Sequence, residues 1–162
     1  MTSLLDENLV GDIIAMLEQA QVPPSALVVE ITETILMSDP ERSRRTLLAL
    51  RDHGVGLAVD DYGTGHCSLA YLRNLPVHEL KLDRSFVRDI ATDPRDAAIV
   101  RSTIDLAHSL DLVLVAEGVE SHEAARLLHE MGCDLVQGYY FGRPGPATDR
   151  IAALSDVVVA VS

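Results

Sequence analysis

Five short apolar runs recur along this chain, and each ends on a polar or charged residue. They are Leu27-Val28-Val29-Glu30, Leu57-Ala58-Val59-Asp60-Asp61, Leu80-Lys81-Leu82-Asp83, Leu112-Val113-Leu114-Val115-Ala116-Glu117 and Leu135-Val136-Gln137-Gly138. Short aliphatic and β-branched runs of this kind read as strands buried on both faces. Helical segments with clear punctuation separate them. Ser38-Asp39-Pro40-Glu41 supplies a cap and a first-turn proline, and Gly54 closes that helix. Asp93-Pro94 opens the next, Ser121 opens a third that stops at Gly132, and residues 4–20, periodic from Leu9 to Ala20, precede the first strand. Strands alternating with helices at this spacing make a parallel α/β protein of about five strands. No linker, repeat or low-complexity stretch divides it.

Bulk properties narrow the function. At 162 residues the chain is about one domain long. It has no run of roughly 18 apolar residues, so no membrane segment is expected. The first residues lack the basic region of a secretory signal. Two cysteines, Cys67 and Cys133, fit neither a disulfide framework nor zinc spacing, which points to a reducing cytoplasm. A net charge of −12 argues against binding a nucleic-acid polymer, which needs a basic face. The cluster Arg42, Arg44 and Arg45 reads as a solvated helix face. An acidic chain still binds a small phosphate ester if metal ions reverse the local field. Twelve arginines accompany a single lysine, Lys81.

In parallel α/β folds, ligands bind outside the carboxyl ends of the strands. Glu30, Asp60, Asp61, Asp83, Glu117 and Gln137 are therefore expected on one rim. Carboxylates gathered there repel one another, and divalent cations are the simple remedy. Oxygen-only donors favour Mg²⁺ or Mn²⁺ over zinc. The alternative is that the acids are strand-end and helix caps facing water. Gly63 and Gly65, directly after the paired aspartates, suit either a tight loop approaching a ligand or an ordinary turn. Lys81 in mid-run either snorkels to the surface or holds its ammonium against a phosphate or a metal-bound water.

Taken in order, Glu30-Ile31-Thr32-Glu33, Asp60-Asp61-Tyr62-Gly63-Thr64-Gly65, Lys81-Leu82-Asp83, Ala116-Glu117-Gly118-Val119-Glu120 and Gln137-Gly138-Tyr139 resemble the motifs of the EAL domain. The resemblance covers 27–144 and implies a TIM-barrel-like fold and a phosphodiesterase opening cyclic-di-GMP to linear pGpG. It implies that Glu30 and Asp60 are ligands of one metal, and that Asp60 bridges to a second held with Asp61. Lys81 and Glu117 would be catalytic, with Glu117 also a metal ligand, two Mg²⁺ or Mn²⁺ filling the complete site. Glu33, with Gly63 and Gly65, would steady the loop after Asp61, where dimer contacts also form. Asp83, Glu120 and Gln137 would shape the substrate site.

The chain departs from the family pattern at His66-Cys67 and, more seriously, at its front. No Glu-Ala-Leu strand precedes Leu27, and barrels of this type usually need roughly 250 residues. Residues 1–162 are therefore expected to form a truncated domain. It would lack its first strands, with a glutamate and an asparagine of the first metal site, and end in a tail, 145–162, assigned to no element. Impaired hydrolysis is the expectation, with surviving metal binding at Asp60, Asp61 and Glu117. The alternative is a non-catalytic module binding cyclic-di-GMP or a protein. An unclosed barrel edge, or the loop after Asp61, is expected to form a homo-oligomer.

Overall fold

The computed structural model describes residues 4, 6–65 and 68–145; His66, Cys67 and the tail beyond Gly145 lie outside them. Helix α1 (Leu9–Ala20) leads through a short 3₁₀ turn (Pro24–Ala26) into β1 (Val28–Thr32). There follow α2 (Glu33–Ser38), α3 (Pro40–Asp52), β2 (Gly56–Tyr62), α4 (Leu69–Leu72), β3 (Glu79–Leu82) and α5 (Arg84–Val87). The last elements are α6 (Pro94–Ser109), β4 (Val113–Ala116), α7 (His122–Glu130) and β5 (Leu135–Val136). The five strands form one sheet in the order β1-β2-β3-β4-β5, all neighbours parallel. Sequential order in a parallel sheet is the arrangement of a (β/α) barrel, whereas a doubly wound sheet reverses direction at a switch point. Eight strands close such a barrel; these five make an open arc.

The expected helix signals act as written. Asp39 accepts the Arg42 amide at 3.2 Å ahead of Pro40, Asp93 accepts the Arg95 amide at 2.8 Å ahead of Pro94, and Ser121 accepts the Ala124 amide at 3.1 Å. Each pairs an orphan donor of a helix first turn. Three short helices, α2, α4 and α5, occupy stretches that carry no periodic apolar pattern, because four to six residues are too few to show one.

Alternation along the strands divides the sheet into two unlike faces. Leu57, Val59, Leu80, Leu82, Leu114 and Ala116 are fully or almost fully buried. They form one cluster with Leu36, Leu47 and Leu50 of α2 and α3, Val100, Ile104 and Ala107 of α6, and Leu128 of α7. Their alternate neighbours lie on the other face. There Val28 is 43% exposed and Val113 38% exposed, while Ala58 and Val115 are buried. The expectation of strands buried on both faces therefore holds for the helical face and only in part for the other.

At the β4–β5 edge, a side chain extends the ladder. The two strands share only Val115↔Leu135 and Ala116↔Val136. One residue earlier, Asp134 Oδ2 accepts the Leu114 amide at 2.8 Å, and His108 Nε2 lies 3.0 Å from the same oxygen. Burial pushes the Asp134 carboxyl up, but the Leu114 amide and His108 outweigh it and hold the group below its ordinary range. A carboxyl depressed in the fold contributes stability above its unfolded pKa of about 3.9, and loses it as pH falls through the lower folded value. Asp134→Asn should therefore cost about 1 kcal/mol at neutral pH. In urea unfolding followed from pH 7 to pH 3, the gap between variant and wild type should narrow on the acid side.

Candidate active site

The middle of β1 delivers Glu30, the carboxyl-terminal parts of β2 and β3 deliver Asp60 with Asp61 and Lys81, and Glu117 stands one residue past β4. Strict alternation would send neighbouring Asp60 and Asp61 to opposite faces. The β2–β3 register slips between Val59 and Tyr62, and Asp61 takes a left-handed φ of +54°. A bulge of this kind re-aims a side chain at a sheet end. One carboxylate oxygen each from Asp60, Asp61 and Glu117 consequently lie within 4.8 Å of one another.

Lys81 stands under this group. Its side chain is only 7% exposed, and Nζ reaches Glu117 Oε1 at 2.6 Å, Glu30 Oε1 at 2.8 Å and Asp60 Oδ1 at 3.6 Å. Burial alone would push the ammonium pKa down. Hydrogen bonds to Glu117 and Glu30, with the charge of Asp60, overcome that and raise it well above the ordinary lysine value. Among the sequence alternatives for Lys81, the surface-seeking one is set aside. The Asp61 carboxyl is shifted upward as well. Partial burial, then Asp60 and Asp83, push its pKa up against the pull of Lys81 and Arg84.

One ammonium does not satisfy this cluster. Asp60 Oδ1 is buried and has no hydrogen-bond partner, the Lys81 contact being too long for one. An orphaned anionic oxygen beside two more carboxylates, in an all-oxygen donor set, fits a hard divalent cation.

The loop after Asp61 is held from two sides. Glu33, 3% exposed at the start of α2, accepts the Gly63 amide at 3.0 Å. A Cβ on Gly65 would run into the Glu33 side chain, and one on Gly63, whose φ is +100°, would run into the Phe86 ring. The glycines are thus needed for close approach as well as for conformation. Asp83 accepts the Ser85 amide at 3.0 Å and caps α5, so for this residue the helix-cap alternative is the observed one. Burial raises its pKa and the Ser85 and Arg84 bonds more than reverse that. Glu120 and Gln137 are exposed and line a small cavity of about 190 Å³ with Arg84, Glu117, Gly118 and Tyr139. Glu30 is paired to Lys81 and stands outside the three-carboxylate group. Sequence reasoning missed Phe86 and Arg84, whose roles depend on what they touch across the sheet.

The family model described as EAL domain matches residues 1–144. The chain belongs to the EAL domain family. A curated relative, the cyclic di-GMP phosphodiesterase RocR of Pseudomonas aeruginosa, is 46% identical over 138 residues, covering 85% of this chain and 35% of RocR. Among solved structures, the PaMucR phosphodiesterase in complex with c-di-GMP aligns with a TM-score of 0.87 at 40% identity, over 93% of this chain and 62% of that one. The Klebsiella pneumoniae BlrP1 complex with manganese and cy-diGMP aligns with a TM-score of 0.80 at 35% identity, over 86% and 36%. The chain thus spans about a third of RocR's length. The EAL relationship accounts for the sequential parallel order of the sheet, and the fold is TIM-barrel-like.

Within this EAL domain, the lysine and the cluster should be thermodynamically linked. Lys81→Met leaves three carboxylates facing one another. Breaking a fully buried ion pair costs roughly 3–5 kcal/mol, and half-exposed Glu30 brings the expected loss to about 2–3 kcal/mol. Thermal melts with chelator and with Mn²⁺ should show the ion restoring more stability to the variant than to wild type.

Proposed function

We propose that this chain is the phosphodiester-hydrolysing part of an EAL domain, with cyclic di-GMP as substrate and Mg²⁺ or Mn²⁺ as cofactor. The observation carrying the proposal is the Asp60–Asp61–Glu117 group, with its orphaned Asp60 oxygen, over a buried lysine at the carboxyl ends of parallel strands. Relatives and structural neighbours support the substrate class, and calcium and manganese complexes among the neighbours support a divalent ion.

Asp60, Asp61 and Glu117 would hold one ion, and Glu30 with Asp60 would contribute to a second. Such ions supply charge neutralisation for the attacking and leaving oxygens of an in-line displacement. Lys81 stays charged, and by donating to Glu30 and Glu117 it fixes the angle at which both carboxylates meet the ligand. Glu33 keeps the loop after Asp61 seated through Gly63. Arg84, Glu120, Gln137 and Tyr139 line the cavity next to Glu117 and border the substrate. The net reaction adds water across one P–O3′ bond of the cyclic dinucleotide. The water oxygen stays on phosphorus, and the 3′ oxygen leaves with a proton, giving linear pGpG.

Purified chain, incubated with Mn²⁺ and cyclic di-GMP, should release pGpG slowly, since Glu30 and Asp60 alone make a poor second ion site. Glu117→Ala should cut the rate by at least about 100-fold. Turnover indifferent to that substitution, or no binding of either Mn²⁺ or the dinucleotide, would refute the assignment.

No helix among the described residues is long and apolar enough to cross a membrane. Cys133 is a free thiol, which fits the reducing cytoplasm where a soluble second messenger would be met. The reading extends to self-association through the open edge at β1, where Val28 is exposed, or through the loop after Asp61. Light scattering over a concentration series should show mass rising towards a dimer; a strict monomer at high concentration contradicts it.

A further inference from the structure

The segment that carries Glu117 has left the regular strand, yet it is stitched on both sides. On one side the Glu117 amide donates to the Leu82 carbonyl at 3.2 Å. On the other, Gln137 N–H donates to Ala116 O at 2.9 Å, Val119 N–H to Gln137 O at 3.0 Å, and Tyr140 N–H to Val119 O at 3.0 Å. Chain 137–140 therefore grips the backbone at Val119 from beyond β5, whose own pairing with β4 is only two residues long. This grip needs a residue without a side chain at its centre. A Cβ on Gly138 would collide with the nitrogen, carbonyl carbon and oxygen of Val119, all backbone atoms in a residue that is fully buried. Backbone in that position has nowhere to go cheaply. Gly138 is not among the residues with positive φ, so its requirement is one of contact and not of conformation.

We propose that Gly138 is a positioning residue for Glu117. Its bare backbone lets 137–140 close on Val119, and that closure sets the Glu117 carboxylate 2.6 Å from Lys81 and within the ion-sized group. Alanine at 138 pushes Val119 away and carries Glu117, two residues upstream, with it. The proposal rests on the carboxylate group being a cation site, but its geometric part is independent of any ligand.

The control is Gly132, in the turn before β5. It has a φ of +83° and nothing within 4 Å of where a Cβ would stand. Gly132→Ala is strained by conformation and touches nothing, so it destabilises without moving Val119. In wild-type protein, hydrogen exchange should show the Val119 and Tyr140 amides protected like strand amides; exchange at loop rates would mean there is no clamp. A crystal structure of Gly138→Ala without added ions should show Lys81–Glu117 opened beyond hydrogen-bond range and Lys81–Glu30 kept near 2.8 Å. A retained 2.6 Å contact overturns the proposal. Mn²⁺ titration should give affinity about 10–100-fold weaker in Gly138→Ala, the usual effect of losing a residue that orients a ligand, and unchanged in Gly132→Ala. Equal affinity in wild type and Gly138→Ala counts against the clamp. Absence of Mn²⁺ binding in wild type instead sinks the cation reading, while exchange and the crystal structure still decide the clamp.

Discussion

Everything in the site depends on one positive charge in a crowd of negative ones. Lys81 is nearly buried, and it touches Glu117 and Glu30 at hydrogen-bond distance with Asp60 just beyond. Charges in such a place are tolerated only when paired and hydrogen-bonded. The lysine lets three strands bring their acids to one rim without the rim flying apart. It does so incompletely, because one oxygen of Asp60 keeps no hydrogen bond. That remainder leaves an unsatisfied anionic oxygen beside the carboxylates of Asp61 and Glu117. A lysine is suited to the post where an arginine is not: its ammonium is a compact point charge on a flexible stem, able to face several oxygens in different directions.

The repeating part of this architecture was plain in the sequence. Strands and long helices follow from periodicity, and the caps at Asp39, Asp93 and Ser121 from local hydrogen-bond chemistry, because each signal is contained in a few neighbouring residues. The rim acids were legible for the same reason, since a strand end is a local feature and the fold class says which end matters. What escaped was set by contact across the sheet. Asp61 joins Asp60 only because β2 bulges, and no residue pattern announces that bulge. Asp83 looks like its neighbours in sequence yet spends an oxygen on Ser85. Gly63 and Gly65 suited a tight loop or an ordinary turn and Gly138 closed an apolar run, whereas side chain or backbone from elsewhere occupies the space the Cβ of each would need.

The short elements share a second logic. Helices α2 and α5 begin immediately after β1 and one residue after β3, so Glu33 and Arg84 are anchored close to the rim by rigid turns instead of hanging on loops. Glu33 uses that anchorage to reach 30 residues along the chain to Gly63. Arg84 lies so close to Gly118 that a side chain there would not fit. The acids are consequently framed by neighbours whose own positions are fixed by backbone, which is how a site keeps its geometry within fractions of an ångström.

The unequal faces of the sheet separate two kinds of selection. Cohesion comes from the helix-covered side, where Leu57, Leu80, Leu82 and Leu114 are sealed from water. The acid cluster sits at the rim above the opposite side, held by its own pairing with Lys81 and not by the leucine face. Acids and lysine exchanged together can therefore change in a lineage while the chain goes on folding. Descendants that have exchanged their acids for other side chains would keep a ready-made shelf on which recognition, without reaction, can evolve.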